Sequence, residues 1–69
     1  MGDVGIMAKL TAREREIVGL LCNGRREREI AQQLCIQRGT VKMHLYNARV
    51  KAEARTTVEL VAKVAREGE

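Results

Sequence analysis

Apolar residues recur along most of the chain at the three- and four-residue spacing of amphipathic helices. Four segments follow this spacing, and we expect helices at about residues 12–22, 27–34, 38–53 and 57–66. No stretch alternates in the manner of a strand, so the sequence predicts an all-α fold. Residues 1–9 carry no such pattern and are expected to form a flexible leader before one domain at 10–67.

Local signals mark the helix ends. Thr11-x-x-Glu14 and Thr56-x-x-Glu59 have the spacing of capping boxes, in which each side chain accepts a hydrogen bond from the other residue's backbone N–H. Gly24 follows the first helix, as is typical of a C-terminal stop.

The predicted third helix has two contrasting sides. Its inward stripe covers about 60° of arc and consists of Val41, Leu45, Ala48 and Ala52. The opposite side is both apolar and basic, and carries Gly39, Met43, Tyr46 and Val50 flanked by Lys42 and Asn47. Since only three residues separate this helix from the preceding one, the pair has the form of a helix-turn-helix, whose second helix enters the major groove of DNA.

Charge supports a polyanionic partner. Residues 1–22 have a net charge of 0, residues 23–55 of +5 and residues 56–69 of −1. The whole excess therefore lies around the predicted helix-turn-helix, where it would attract polyanions such as nucleic acid or anionic lipid. On charge alone, a solvated basic face without a partner is the alternative.

The sequence resembles the LuxR-type (GerE-like) helix-turn-helix DNA-binding domain of bacterial transcription regulators, a four-helix fold. The resemblance runs from Leu10 to about Ala62 and is carried by "LTAREREIVGLL", "EIAQQL", "TVKMHLYNA" and "RTTVEL". It departs from the family pattern at Arg26 and Gln37, where a serine or similar cap is usual.

The resemblance implies roles for particular residues. Thr40, Lys42 and His44 match the family's T-V-K-x-H signature, and Lys42, Met43 and Tyr46 match positions from which the recognition helix reads bases. Together with basic residues nearby, Asn47, and Gly39, which would let the backbone approach DNA, the predicted DNA contacts are Arg26, Arg38, Gly39, Thr40, Lys42, Met43, His44, Tyr46, Asn47 and Arg49.

The predicted fourth helix is apolar on more than one side, which suggests one contact with its own core and one with a partner. One face is lined by Val58, Val61, Ala62 and Ala65, and well round the helix from the centre of that face lie Leu60 and Val64. The family resemblance implies a two-fold dimer through this helix. The predicted dimer interface comprises Val58, Leu60, Val61 and Val64.

Enzymatic and metal chemistry is poorly supported. The chain has no serine and one histidine, and Cys22 and Cys35 stand apart among apolar neighbours, so we expect buried thiols and no metal or cofactor. No apolar run reaches the about 20 residues of a membrane span, and residues 1–10 contain Asp3 and Lys9 and lack the long apolar stretch of a secretory signal, so we expect none there. Cytoplasm is the expected compartment, and neither a membrane nor a small-molecule ligand is an expected partner.

Three hypotheses follow. The first is a dimeric, sequence-specific transcription regulator that binds inverted repeats in double-stranded DNA, with RNA polymerase as a candidate further partner. The second is a promoter-binding domain like region four of sigma factors, against which the capped fourth helix argues. The third is a helical protein-interaction module of the anti-activator type. The chain would be either a stand-alone regulator or the carboxy-terminal domain of a larger protein.

Overall fold

Five helices build the domain in a computed structural model that describes residues 5–67. They are α1 (Ile6–Lys9), α2 (Ala12–Cys22), α3 (Glu27–Leu34), α4 (Arg38–Ala52) and α5 (Thr57–Glu67), with no strand in that range. The all-α prediction is confirmed. The four predicted helices are present, and their ends agree to within one residue.

Helix α4 lies at the centre of the fold and contacts each of the other four helices. Its predicted inward stripe is buried along its whole length: Val41, Leu45, Ala48 and Ala52. Ile17 and Val18 of α2, Ile30 of α3 and Leu60 of α5 complete the solvent-excluded core around that stripe. The core is therefore aliphatic, and α4 is held from several sides with its remaining surface exposed.

The first capping box forms as predicted. Thr11 Oγ1 accepts a hydrogen bond from the N–H of Glu14 at 3.1 Å, and Glu14 Oε1 accepts one from the N–H of Thr11 at 3.0 Å. The second forms only in part. Thr56 Oγ1 accepts from the N–H of Glu59 at 3.0 Å, but the Glu59 carboxylate accepts from the N–H of Arg55 and not from that of Thr56.

The amino-terminal segment differs from the predicted leader at residues 6–9. These residues form α1, whose Ile6 is buried, and the Ile6 N–H donates to both carboxylate oxygens of Glu67 at 2.8 Å. Arg15 Nη1 donates to the carbonyl of Leu10 at 2.9 Å and holds the turn that follows. The folded domain thus begins before residue 10, and residues 1–4 lie outside the described residues.

Two helices end at residues in the left-handed region that are not glycine. Cys35 has φ 57° and Glu53 has φ 56°, whereas Gly24, with φ 90°, ends α2 as predicted.

The prediction of buried thiols is wrong, because both Cys22 and Cys35 are exposed. Cys22 is the last residue of α2, and Cys35 caps the end of α3.

Candidate nucleic-acid interface

Helices α3 and α4 form the predicted helix-turn-helix. The turn is fixed by the hydrogen bond from the Ile36 N–H to the Ala31 carbonyl at 3.0 Å, and the left-handed residue Cys35 lets the chain reverse there. Ile36 packs against the core, and Val41 is buried one turn into α4. The orientation of α4 relative to α3 is therefore set by buried apolar contacts on both sides of the turn.

The outer side of α4 is exposed as the sequence predicted. Met43 is 53% exposed, Tyr46 57% and Val50 59%, directly across the helix from the buried stripe. Large apolar side chains at such exposure point to a surface that a partner covers. Three polar residues and one glycine are also exposed on this side of α4: Arg38, Gly39, Lys42 and Asn47.

Three predicted DNA contacts lie at the edges of this surface. Thr40 and His44 are half-buried. Arg49 is also half-buried. Its Nη1 donates to the Arg55 carbonyl at 2.8 Å, and its Cζ lies 5.7 Å from the centroid of the Tyr46 ring.

A charged cleft adjoins the exposed side of α4. It has a volume of about 360 Å³ and is lined by Arg26, Glu27 and Arg28 at the start of α3 and Arg38 at the start of α4. Lys42 Nζ lies 3.9 Å from Glu27 Oε1, a loose and largely exposed ion pair. The structure thus brings together Arg26 and Arg38, which the sequence predicted, and adds Arg28, whose only sequence signal is its place two residues after Arg26.

A second surface lies between α2 and α5. Leu21, Thr57, Val58, Val61 and Ala62 line an apolar groove of about 400 Å³, and Val58 is 79% exposed. An open apolar groove on a domain of this size is typical of an interaction site.

The structure divides the four residues of the predicted dimer interface between the core and the groove. Leu60 is 0% exposed, so its placement in a partner interface is wrong, and Val64 is partly buried against the same core. Val58 and Val61, the other two residues of that predicted interface, border the groove. Leucine fills the space beside α4 that the smaller valine and alanine side chains would leave open.

Other kinds of site find no support in the part of the chain that is described. Between residues 5 and 67, no cluster of three or more histidine, cysteine or acidic side chains is arranged to hold a metal ion. Nor does any helix in that range combine the length and apolar character needed to cross a membrane.

Comparison with known proteins assigns the chain to a family. The family described as bacterial regulatory proteins, luxR family, matches residues 8–64. The chain belongs to the LuxR family. It is therefore a DNA-binding domain of the transcription-regulator class, in agreement with the helix-turn-helix geometry, and not an enzyme.

The chain matches different shares of the length of individual relatives. The chain is 48% identical over 56 residues to the monoamine regulon transcriptional regulator of Klebsiella aerogenes, which is 81% of this chain and 25% of that protein. It is 34% identical over 59 residues to the transcriptional regulatory protein DesR of Bacillus subtilis, which is 86% of this chain and 30% of that protein. It is 38% identical over 60 residues to the spore germination protein GerE of Bacillus subtilis, which is 87% of this chain and 81% of that protein.

The chain thus spans about a quarter of the first of these regulators and most of GerE. The comparison with solved structures gave no significant match.

Proposed function

We propose that this LuxR-family domain binds double-stranded DNA sequence-specifically as a homodimer, with α4 in the major groove and α5 at the dimer interface. The observation that carries the proposal is the exposed side of α4, where Met43, Tyr46 and Val50 stand among Arg38, Lys42 and Asn47. The major groove admits one α-helix and offers both hydrogen-bonding base edges and thymine methyl groups. A helix surface that is basic and apolar at once fits those two kinds of partner.

The contacts divide by chemistry. Lys42 and Asn47 can donate to base edges or phosphates, and Met43 and Val50 can contact thymine methyl groups. Arg26, Arg28 and Arg38 around the charged cleft are suited to phosphates, which fix the register of a protein on the duplex without reading sequence. Thr40 and His44, which are half-buried, would contact the backbone at the edge of the groove.

Dimerisation is proposed through the apolar groove between α2 and α5. Two copies related by a two-fold axis would cover Val58 and Val61 of each other and leave both α4 helices free. Such a dimer places two recognition helices in successive major grooves, so its site would be an inverted repeat with half-site centres about 34–36 Å apart. Cytoplasm, where bacterial DNA lies, is the proposed compartment, and RNA polymerase is a candidate further partner.

Selection of bound duplexes from a random DNA pool tests this function. The winning sites are then titrated at several salt concentrations, with the same protein on a scrambled duplex as the control. An enriched inverted repeat, bound by two protomers with a steep salt slope, is the expected result. Weak binding without enrichment would contradict the proposal and favour an acidic protein as the partner of the basic surface.

A further inference from the structure

We infer that Arg49 is a positioning residue, which holds the Tyr46 ring in the orientation used to read a base and makes no DNA contact of its own. This inference rests on the proposed function and deepens it, since it assigns a specificity-determining role to a side chain at the edge of the DNA-facing surface. It replaces the direct DNA contact that the basic character of Arg49 predicts.

The guanidinium of Arg49 is anchored within the domain. Its Nη1 donates to the carbonyl of Arg55 at 2.8 Å, in the connection between α4 and α5. Arg55 is itself tied to α5, because its N–H donates to Glu59 Oε1 at 2.8 Å in the first turn of that helix. A guanidinium tied to the backbone in this way has a defined position and is not a free surface charge.

The anchored guanidinium lies against Tyr46. The distance of 5.7 Å from Arg49 Cζ to the ring centroid is within the range of about 6 Å in which a cation is attracted to the face of an aromatic ring. The two residues are three positions apart on α4, where side chains of one helix meet. Because Tyr46 as a whole is still 57% exposed, Arg49 can lie against the ring and leave much of the side chain open to a base.

Burial separates Arg49 from the arginines of the charged cleft. Its Nε is buried and has no hydrogen-bond partner among residues 5–67, whereas Arg26, Arg28 and Arg38 are exposed. A buried donor without a partner costs stability. The Arg49 side chain is thus directed into the domain, with Nη1 on the Arg55 carbonyl and Cζ over the Tyr46 ring.

Binding measurements on Arg49→Lys, Arg49→Gln and Tyr46→Ala test the inference. Tyr46→Ala first identifies the base pair at which it lowers discrimination on the selected site. Both Arg49 variants are expected to lose about 2- to 5-fold in discrimination at that base pair, the size of an exposed cation–π contact, with the salt slope unchanged. In the Tyr46→Ala background they are expected to lose nothing further. Thermal unfolding of each variant confirms that the domain is folded.

The matched control is Arg38→Gln, an exposed arginine of the same helix. It should lower the salt slope by about one unit if it neutralises a phosphate, and leave discrimination at the Tyr46 base pair unchanged. An Arg49→Gln variant that behaves like Arg38→Gln, or an Arg49→Lys variant that keeps full discrimination, would overturn the inference.

A readout without DNA separates this inference from the proposed function. Tyr46 is the only tyrosine, and the chain has no phenylalanine or tryptophan. Its ring proton resonances can therefore be followed in the free protein. Arg49→Lys should shift them and Arg38→Lys should not. If the wild-type protein selects no DNA site, the proposed function fails, but the resonances still decide whether Arg49 holds the Tyr46 ring. Unchanged resonances in Arg49→Lys would by themselves overturn the inference.

Discussion

Lys51 of α4 and Glu14 of α2 form an ion pair at the edge of the core, with 2.7 Å between Lys51 Nζ and Glu14 Oε1. The Glu14 side chain is 4% exposed, and the same oxygen accepts the N–H of Thr11 at the start of α2. Burial by itself would raise the pKa of this carboxyl. The hydrogen bonds from Lys51 and Thr11 and the charges of Lys51 and His44 outweigh burial and lower the pKa below its ordinary value of 4.5.

The first prediction concerns stability in acid. Because the pKa of Glu14 is lower in the folded than in the unfolded chain, the unfolded chain takes up this proton first as the pH falls. The contribution of Glu14 to the free energy of unfolding is therefore complete at neutral pH and is lost as the pH falls below about 4.5. Urea unfolding at pH 7 and at a series of pH values below 5 measures this loss.

Two variants isolate that contribution. Glu14→Gln should lower the free energy of unfolding at pH 7 by about 1–3 kcal/mol and flatten the loss in acid, because the neutral amide has no charge to pair with Lys51 and does not titrate. Glu16→Gln is the matched control, since its ion pair with Arg13 is exposed and should contribute less than about 1 kcal/mol. If both variants lost acid sensitivity equally, Glu14 would not be its source.

The second prediction separates folding from DNA binding at Gly39. A Cβ added there meets no atom within 4 Å, so Gly39→Ala should leave stability unchanged or raise it by up to about 1 kcal/mol. If the backbone of α4 approaches DNA closely at this point, the added methyl group should weaken binding about tenfold, or about 1.4 kcal/mol. Calorimetric unfolding of the variant measures the effect on stability, and titration of the selected duplex measures the effect on DNA affinity.

Gly19→Ala is the control for Gly39→Ala. Gly19 lies in α2 and is equally open to a Cβ. The substitution should raise stability in the same way and leave DNA affinity unchanged. Equal affinities for both variants would mean that the start of α4 stays away from the DNA backbone.

The sequence predicts those parts of the fold that depend on local spacing. The four long helices and the buried stripe of α4 follow from apolar periodicity, and the first capping box follows from Thr11 and Glu14. Helix α1 does not follow from local spacing, because its four residues are capped by Glu67, 61 positions away. An amino-terminal segment of this kind has no local signal strong enough to predict a helix.

Apolar spacing also could not predict which side of α5 enters the core, or the hydrogen bond that anchors Arg49. Apolar residues lie on both sides of α5, and only the space beside α4 decides that Leu60 enters the core and Val58 remains exposed. The Arg55 carbonyl that anchors Arg49 lies six positions away, in a connection whose course the sequence does not specify. The candidate DNA surface was predictable because it is the side of α4 that periodicity leaves outside.

The third prediction concerns Lys42. It is exposed, and its pair with Glu27 is loose at 3.9 Å, so Lys42→Ala should change stability by less than about 0.5 kcal/mol. If Lys42 binds a phosphate, the variant should bind all DNA more weakly, with a salt slope lower by about one unit. If it reads a base, discrimination at one position should fall by about 1–3 kcal/mol. Titrations of selected and scrambled duplexes at several salt concentrations distinguish the two.

Glu27→Gln gives the opposite test at the same place. It removes the acidic side chain that competes with DNA for Lys42 and for the arginines of the charged cleft. Affinity for any duplex should rise, and most at low salt, where exposed charges are least screened. Unchanged affinity in both Glu27→Gln and Lys42→Ala would place this part of α4 outside the DNA interface.

The fourth prediction concerns the dimer and depends on the exposure of Val58. Because Val58 is 79% exposed, Val58→Glu should change the free energy of unfolding by no more than about 0.5 kcal/mol. A charge in the proposed interface should nevertheless prevent pairing, so that protomers occupy the two half-sites of an inverted repeat independently. Analytical ultracentrifugation with the selected duplex measures the number of protomers bound and their cooperativity.

Leu60→Ala is the contrasting variant. Leu60 is fully buried, so its truncation should lower the free energy of unfolding by about 2–5 kcal/mol, an effect on the monomer itself. Loss of DNA binding in Leu60→Ala would accordingly report unfolding and carry no information about the interface, whereas loss of cooperativity in a stable Val58→Glu protein would locate the interface at the groove. Cooperative dimeric binding by Val58→Glu would instead remove α5 from the interface and require that two copies meet on the DNA through another surface.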